Sequence, residues 1–309
     1  MSAALATAAA VPVVVPAAVG AAPAPIEHVV RFGASGELFG IFTEPIAAER
    51  RARPCLVFIN AGLVHRVGPN RLHVKLARRL AARGFASIRF DLSGIGDSQH
   101  RSDGVPADEA AVQDACRVML AAETGLGLGP FILVGLCSGA VTAFRAAVRD
   151  PRVVGAVLMN PQGFSADRTW NAEVVARTQA RSYRRALFRP DSWRRALSGR
   201  IDYLRLLGLL RMRLPGRRRG AAVASIGRQL AADFAALDAR GVRTIVICSA
   251  GDTSVEYMSA ILGRGARADV DDARLTLKMF PRSDHSLTLR SSQAALFEVL
   301  DAWAERFGR

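Results

Sequence analysis

The stretch Phe131-Ile-Leu-Val-Gly-Leu-Cys-Ser-Gly-Ala140 decides the fold of this chain. Its first half is a continuous apolar run, which is typical of a strand covered on both faces of a sheet. A helical pattern follows at once, so the chain must turn sharply at Cys137. The residues two positions to either side, Gly135 and Gly139, carry no side chain that could obstruct the turn. The sequence therefore predicts a strand, a tight turn with Cys137 at its apex, and a helix.

Strand and helix patterns alternate along most of the chain, beginning with a predicted hairpin that turns at Gly33–Gly36. The predicted strands are Ile26–Phe32, Leu38–Thr43, Cys55–Asn60, Ala86–Asp91, Phe131–Leu136, Val153–Asn160, Thr244–Ser249 and Leu275–Phe280. The predicted helices are Arg71–Arg83, Ala107–Glu123, Ser138–Val148, Glu256–Leu262 and Ser291–Phe307. Such alternation implies right-handed crossovers, so the sequence predicts an α/β fold with a doubly wound, mostly parallel sheet.

One long insertion, residues 161–240, interrupts this alternation. It contains no convincing strand pattern, and helical segments are expected around Asn171–Phe188, Pro190–Leu210 and Ile226–Arg240. Because long insertions at strand ends usually cover a site, we expect a helical lid. The α/β core then consists of residues 26–160 and 241–309. Residues 1–25 are rich in Ala, Val and Pro and are expected to form a flexible tail; a degenerate signal or membrane-touching segment is the alternative.

Composition narrows the class of protein. The chain has 309 residues, of which 50% are hydrophobic, so it can bury a large core. The four cysteines are scattered and form no Cys/His cluster, so we expect no disulfides, no metal and no cofactor, and a cytoplasmic location is favoured. The net charge of +15 comes almost entirely from Arg, without a recognisable nucleic-acid-binding module. This combination argues against nucleic acid as the partner.

The position of Cys137 predicts a nucleophile. Glycines two residues away on both sides, between a strand and a helix, are the setting of a nucleophile elbow. There the thiol stands at the N-terminus of a helix, whose dipole favours the thiolate. The backbone N–H of Ser138 can help bind an oxyanion. A buried structural cysteine is one alternative, and Ser138 as the nucleophile is another, although Ser138 lies one residue past the apex.

A histidine and an aspartate complete the predicted catalytic set. His285 lies directly after the last predicted strand and before the final helix, where this arrangement places its base. The histidines without this position are His28, His65, His73 and His100. Asp252 follows a strongly apolar strand and is the predicted acid that fixes the tautomer of His285. Asp167 is the second candidate for the acid, and the pair Asp271–Asp272 is the third.

The loop after the third predicted strand is expected to supply a second oxyanion donor. A backbone N–H of Gly62 or Leu63 is the predicted donor. The loop then continues as a polar run towards the first helix. In one interpretation this run caps the helix through Asn70, and in the other Arg66 or Arg71 binds a carboxylate or phosphate of the substrate.

With these residues in view, the chain resembles the α/β-hydrolase superfamily from about Ile26 onward. It is most similar to the branch of serine aminopeptidase-like and monoacylglycerol-lipase-like enzymes, because Asp91-Leu-Ser-Gly-Ile-Gly-Asp-Ser98 matches that family's D-x-x-G-x-G-x-S turn. The loop from Asn60 to Arg71 also resembles bacterial hydrolases found with exopolysaccharide-export systems. Cys137 departs from the serine of most relatives and is similar to the cysteine of dienelactone hydrolases and polyhydroxyalkanoate synthases.

A thiolate nucleophile favours activated acyl substrates. It attacks esters, thioesters and lactones and forms an acyl-cysteine, whereas an amide is a poorer substrate because its amine leaves less readily than the thiolate. We therefore expect a hydrolase in which Cys137, His285 and Asp252 act together on a small-molecule acyl substrate. An acyltransferase that uses an alcohol or amine acceptor is the alternative, and a non-catalytic binding protein of the same fold is a third hypothesis.

The insertion also raises the question of a partner. Between Glu173 and Arg219 the sequence has fourteen Arg and only three acidic residues, interleaved with apolar side chains. The simpler interpretation is a lid whose arginines face water. The functional interpretation is a docking surface for an anionic partner, namely an acidic acyl-carrier protein, a coenzyme A thioester or a lipid head group at a membrane surface.

Overall fold

The structure of the chain is a computed structural model that describes residues 24–33, 35–46, 53–165, 167, 169–176, 217–263, 269–272 and 274–308. Of residues 217–223 it describes the backbone alone. The tail 1–23 and residues 177–216 of the predicted lid lie outside the described residues. The predicted helix Pro190–Leu210, most of Asn171–Phe188 and the arginine-rich stretch therefore stay predictions, as does the division of the chain into core and lid.

One sheet of nine strands organises the described residues. The strands are β1 (Glu27–Phe32), β2 (Leu38–Thr43), β3 (Cys55–Ile59), β4 (Ser87–Phe90), β5 (Phe131–Leu136), β6 (Val153–Met159), β7 (Arg243–Ser249), β8 (Val270–Asp271) and β9 (Leu275–Phe280). Their order across the sheet is β1-β2-β4-β3-β5-β6-β7-β9-β8. All neighbouring pairs from β4 to β9 are parallel, and the pairs at both edges are antiparallel. The predicted doubly wound, mostly parallel sheet is confirmed.

Helices cover both faces of the sheet. They are α1 (Leu72–Ala81), α2 (Ala107–Leu126), α3 (Ser138–Arg149), α4 (Arg217–Ala239), α5 (Ser254–Leu262) and α6 (Arg290–Ala304), and residues 169–176 are also helical. One apolar cluster joins α1 and α6 to one face, and a larger cluster joins α2 to α5 to the other. Within the described part of the chain, no helix is long and apolar enough to cross a membrane.

Strand β3 is apolar at every position, and the structure shows that both of its faces are covered. All of its residues are buried. Val57 and Ile59 belong to the cluster under α2 and α3, whereas Leu56 and Phe58 belong to the cluster under α1 and α6. Because side chains of a strand alternate between the two faces, a strand covered on both faces must be apolar throughout. The same argument applies to β5, and it explains why both strands were predictable from their composition.

One strand differs from the prediction. Val270–Asp271 forms the short edge strand β8, antiparallel to β9, which is not among the predicted strands. Both of its residues are exposed, so no apolar pattern marks the strand. The side chain of Asp271 pairs with Arg306 and with Thr276, and these contacts, rather than apolar burial, attach the strand to its neighbours.

The strand order reverses between β3 and β5. After β3 the chain moves to β4 on one side, and β5 then lies on the other side of β3. At such a point the carboxyl ends of parallel strands form a crevice, where α/β proteins bind their ligands. Gly62 follows β3 and Cys137 follows β5. The topology therefore brings the predicted nucleophile and the predicted oxyanion loop to the same crevice.

Candidate active site

Cys137 occupies the turn between β5 and α3. Its backbone angles, φ 58° and ψ −121°, lie in a region that residues with a side chain rarely adopt. Its N–H donates to the carbonyl oxygen of Met159 at 2.9 Å, and its carbonyl oxygen accepts from the N–H of Ala140 at 3.2 Å. Hydrogen bonds on both sides of the residue thus hold this turn in place and leave the Cys137 side chain partly exposed.

The two glycines beside the turn are required by contacts with backbone atoms. A Cβ at Gly135 would lie 2.2 Å from the carbonyl oxygen of Gly139. A Cβ at Gly139 would lie 2.3 Å from the carbonyl oxygen of Asn60, in the loop after β3. Backbone atoms at these places cannot rotate away, so no larger residue fits. The close approach of Gly139 to Asn60 places the N-terminus of α3 directly against the predicted oxyanion loop.

The loop after β9 brings His285 to both of its predicted partners. The imidazole Nδ1 lies 2.9 Å from Oδ2 of Asp252. The pKa of His285 is raised to about 10, first by this hydrogen bond and then by a hydrogen bond with Cys137, while partial burial opposes the increase. Since Nδ1 is taken by Asp252, the ring has Nε2 left for the thiol. The structure therefore brings Cys137, His285 and Asp252 together in the predicted order.

Asp252 stays ionised because several donors surround it. Burial raises the pKa of its carboxyl group, but hydrogen bonds from His285, Ser254 and Gln162 outweigh this and lower the pKa to about 2. The N–H of Ser254 lies 2.8 Å from Oδ1, and the amide nitrogen of Gln162 lies 3.0 Å from the same oxygen. A carboxylate held by three donors keeps its negative charge next to the imidazole.

Asn160 fixes the loop that carries His285. It is fully buried at the end of β6, with a left-handed φ of 43°. Its side-chain nitrogen donates to the carbonyl oxygen of His285 at 2.8 Å and to the hydroxyl of Ser249 at 3.0 Å. Its side-chain oxygen accepts from the N–H of Ser249 at 2.6 Å. One amide therefore ties the end of β7 to the histidine loop.

The predicted oxyanion donors lie close together, in the loop after β3 and at the start of α3. The N–H of Gly62 donates to the hydroxyl of Ser138 at 2.9 Å. The N–H groups of Ser138 and of Leu63 have no acceptor among the described residues. Leu63 itself is 90% exposed. All three predicted N–H donors thus lie at the carboxyl-end edge of the sheet, but the Gly62 N–H already donates to the Ser138 hydroxyl.

Comparison with known protein families agrees with this geometry. Residues 56–299 match the model of a family described as the alpha/beta hydrolase family, which is most of the chain. The chain belongs to the α/β hydrolase family. A comparison with curated protein sequences gives no match for this α/β hydrolase.

Solved structures show the same fold. The proline iminopeptidase of Mycobacterium smegmatis is 20% identical with a TM-score of 0.53, over 91% of this chain and 98% of that chain. A dienelactone hydrolase from Anabaena variabilis is 13% identical with a TM-score of 0.52, over 90% and 96% of the two chains. Est1E from Butyrivibrio proteoclasticus is 12% identical with a TM-score of 0.53, over 91% and 99%. At such low identities the likeness concerns the fold alone.

Arg66 of this α/β hydrolase has partners within the protein. Its guanidinium lies 2.5 Å from the fully buried carboxylate of Asp91 and 2.8 Å from that of Asp97, and it stacks over the ring of Phe39. Its backbone N–H also donates to Asp91, at 2.6 Å. These contacts anchor the oxyanion loop to the turn after β4. Arg71, by contrast, is exposed and has no ion pair within the described residues.

The prediction that Asn70 caps α1 is wrong. The N-cap of α1 is Arg71, and no side chain caps it. The side-chain nitrogen of Asn70 instead lies 3.5 Å from the hydroxyl of Thr288, in the loop that carries His285. Asn70 has a left-handed φ of 52°, and it lies in the short turn Pro69–Arg71 that precedes α1. This contact joins the oxyanion loop to the histidine loop at the rim of the site.

The alternative acids lie elsewhere in the fold. Asp167 accepts a hydrogen bond from the N–H of Trp170 at 2.8 Å, and so caps the helical residues 169–176. Asp271 pairs with Arg306 at the far edge of the sheet. In the described parts of the chain, no group of three or more His, Cys, Asp or Glu side chains could hold a metal ion. Sequence reasoning missed Asn160 and Gln162, for which position after the apolar strand β6 was the only signal.

Proposed function

We propose that this α/β hydrolase cleaves activated esters and thioesters through an acyl intermediate on Cys137. The observation that carries the proposal is the 2.9 Å hydrogen bond between His285 and Asp252, at the same edge of the sheet as the strained turn that holds Cys137. An imidazolium beside a thiol favours the thiolate, and the nearby N-terminus of α3 acts in the same direction. A thiolate held in this way is the attacking group that acyl transfer requires.

The chemistry proceeds in two displacements. The Cys137 thiolate attacks the acyl carbon, the bond to the leaving oxygen or sulfur breaks, and the His285 imidazolium protonates the departing alcohol or thiol. Water then attacks the acyl-cysteine while His285 takes one of its protons. The thioester bond breaks, the carboxylic acid leaves, and the thiolate–imidazolium pair is restored. Asp252 keeps the ring oriented and balances its positive charge.

Aromatic side chains next to the site support an apolar acyl group. Tyr257 packs on Trp170 with ring centroids 5.2 Å apart, and Phe164 lies 6.3 Å from Tyr257 and 5.5 Å from Phe144. Burial raises the pKa of the Tyr257 hydroxyl, which donates to the side-chain oxygen of Asn171 at 3.1 Å. Large apolar groups with a few directed polar groups are the usual lining of a small-molecule site.

Mass spectrometry of the intact protein tests the proposal. Incubation with p-nitrophenyl acetate or an acetyl thioester should add one acyl group that maps to Cys137 and disappears as the acid forms. Cys137→Ala should lose both the adduct and turnover, whereas Cys137→Ser should retain a trace of activity because its hydroxyl occupies the same elbow. An adduct in Cys137→Ala that maps to Ser138 would contradict the proposal. Release as a new ester when an alcohol is supplied would show transfer rather than hydrolysis.

A further inference from the structure

We infer that the hydroxyl of Ser138 is a catalytic hydrogen-bond donor to the oxyanion, in the place that a loop N–H would otherwise fill. The inference deepens the proposed function and rests on it. Its basis is the 2.9 Å hydrogen bond from the N–H of Gly62 to Oγ of Ser138. The loop amide that was predicted to face the substrate faces this hydroxyl instead.

The hydrogen-bonding capacity of the hydroxyl supports this role. A serine hydroxyl has one hydrogen to donate and two lone pairs that accept. In Ser138 one lone pair takes the Gly62 N–H, and the hydroxyl hydrogen has no acceptor among the described residues. The side chain is exposed to the crevice rather than buried. The hydroxyl hydrogen is therefore free to point at a bound acyl group.

The position of Ser138 places both of its donors next to the reacting carbon. It follows Cys137 directly and begins α3, and its backbone N–H has no acceptor among the residues that the structure describes. A hydroxyl that accepts from one N–H becomes a stronger donor, because hydrogen bonds in a chain polarise one another. One residue then supplies two donors to the same oxyanion.

The surrounding backbone holds this pair in place before substrate arrives. Gly139 lies so close to the carbonyl oxygen of Asn60 that a Cβ would be 2.3 Å away, which fixes the start of α3 against the loop. The side chain of Asn60 donates to the carbonyl oxygen of Val64 at 2.8 Å and accepts from the N–H of Leu92 at 2.7 Å. Donors that need no rearrangement stabilise a developing charge most effectively.

A competing arrangement makes the opposite prediction. If the hydroxyl only occupies the Gly62 N–H in the absence of substrate and must rotate away, its removal would leave that N–H open. Ser138→Ala would then be as active as the natural enzyme or more so. If the hydroxyl donates to the oxyanion, its removal takes away one donor from the transition state, and loss of such a donor lowers kcat by about 10²–10³-fold.

The experiment compares Ser138→Ala, Ser138→Thr and the natural enzyme on p-nitrophenyl acetate, with Ser291→Ala in the first turn of α6 as a matched control. We expect kcat to fall about 10²-fold in Ser138→Ala with KM little changed, and Ser138→Thr to restore most of it because the hydroxyl returns. Ser291→Ala should behave as the natural enzyme. Equal thermal midpoints would exclude a folding defect.

An inhibitor series separates this inference from the proposed function. A trifluoromethyl ketone forms a tetrahedral adduct with a thiolate, and its oxyanion resembles that of the reaction. Its inhibition constant should rise in Ser138→Ala by the same factor as kcat/KM falls. Unchanged kcat and inhibition in Ser138→Ala would overturn the role of the hydroxyl alone. Absence of turnover in the natural enzyme and of any adduct at Cys137 would overturn the proposed function itself.

Discussion

The two halves of the candidate site are built in different ways. The half that holds Asp252 and His285 is largely buried, and its loops are joined by the amides of Asn160 and Gln162. The half that holds the predicted oxyanion donors is open, and among the described residues one hydrogen bond, from Gly62 to Ser138, joins its two sides. The buried half has its charges and orientations set by the fold. The open half is held instead by the close approach of Gly139 to the carbonyl oxygen of Asn60.

This difference separates the two tasks of the site. Charge on His285 and Asp252 must be maintained whatever the substrate is, so it is advantageous to fix it with several hydrogen bonds to the surrounding loops. In the proposed mechanism the oxyanion forms only when the nucleophile attacks, so its donors must face the bound substrate. The loop that carries Gly62 and Leu63 is attached to the turn after β4 through Arg66, which pairs with Asp91 and Asp97.

The largest effect is expected in the buried half. His285→Ala should lower kcat/KM by about 10³-fold or more, because no other described base contacts the Cys137 thiol. Asp252→Asn should cost less, since the imidazole keeps its contact with the thiol. Steady-state kinetics on a p-nitrophenyl ester measure both changes. A greater loss of kcat/KM in Asp167→Asn than in Asp252→Asn would show that the acid is Asp167 and not Asp252.

A smaller effect is expected at the anchor of the open half. Arg66→Ala leaves the buried Asp91 without its charged partner, and should lower the free energy of unfolding by about 3 kcal/mol or more. The exposed Arg71→Ala is the matched control and should change stability by less than about 0.5 kcal/mol. Urea denaturation measures both.

The same two variants test recognition of an anionic substrate. If Arg66 has a purely structural role, the ratio of KM values for an anionic and a neutral ester should be the same in Arg66→Ala and in the natural enzyme. A rise in that ratio confined to Arg66→Ala would restore the predicted role in binding a carboxylate or phosphate. A rise confined to Arg71→Ala would give that role to the exposed arginine.

The smallest expected effect is the pH dependence of the stability that the pair of His285 and Asp252 contributes. The pKa of His285 is raised from 6.5 to about 10, so its contribution to stability is complete below pH 6.5 and is lost as pH rises through 10. The pKa of Asp252 is lowered from 3.8 to about 2, so its contribution is complete above pH 3.8 and is lost as pH falls through 2.

The stability difference between the natural enzyme and Asp252→Asn should therefore be largest between pH 4 and 6.5. It should decrease towards pH 10 and towards pH 2. Solvent screens this pair, because the His285 side chain is 33% exposed, so we expect a maximum of about 1 kcal/mol. Denaturant titrations across this pH range measure the difference. A constant difference at every pH would mean that the charged pair does not contribute.

Much of the fold was predictable because its information is local. A run such as Phe131–Leu136, covered on both faces, must be apolar at each position, and the two glycines around Cys137 are required by contacts within a few residues or with the adjacent strand end. The proximity of Asp252 and His285 could be predicted because the carboxyl ends of parallel strands lie at one edge of the sheet. The short strand β8 could not, since two exposed residues carry no pattern.

The remaining parts of the site depend on contacts between distant positions. Asn160 and Ser249 are 89 residues apart, and Gln162 and Asp252 are 90 residues apart. A polar residue after a strand can serve many roles, and only the tertiary structure shows which partner it meets. Arg66 illustrates the same point, because its partner Asp91 is 25 residues away in the sequence and only the tertiary structure brings the two together.

The backbone at Cys137 implies a conflict between durability and chemistry. A left-handed φ of 58° at a residue with a side chain costs on the order of 1–3 kcal/mol, which the hydrogen bonds around the turn must offset. Glycine adopts that conformation without this penalty. A chain with glycine at position 137 would thus be relieved of strain while losing its thiol. The proposed nucleophile thus lies at a position that weakens the protein, and selection for heat resistance alone would tend to remove it.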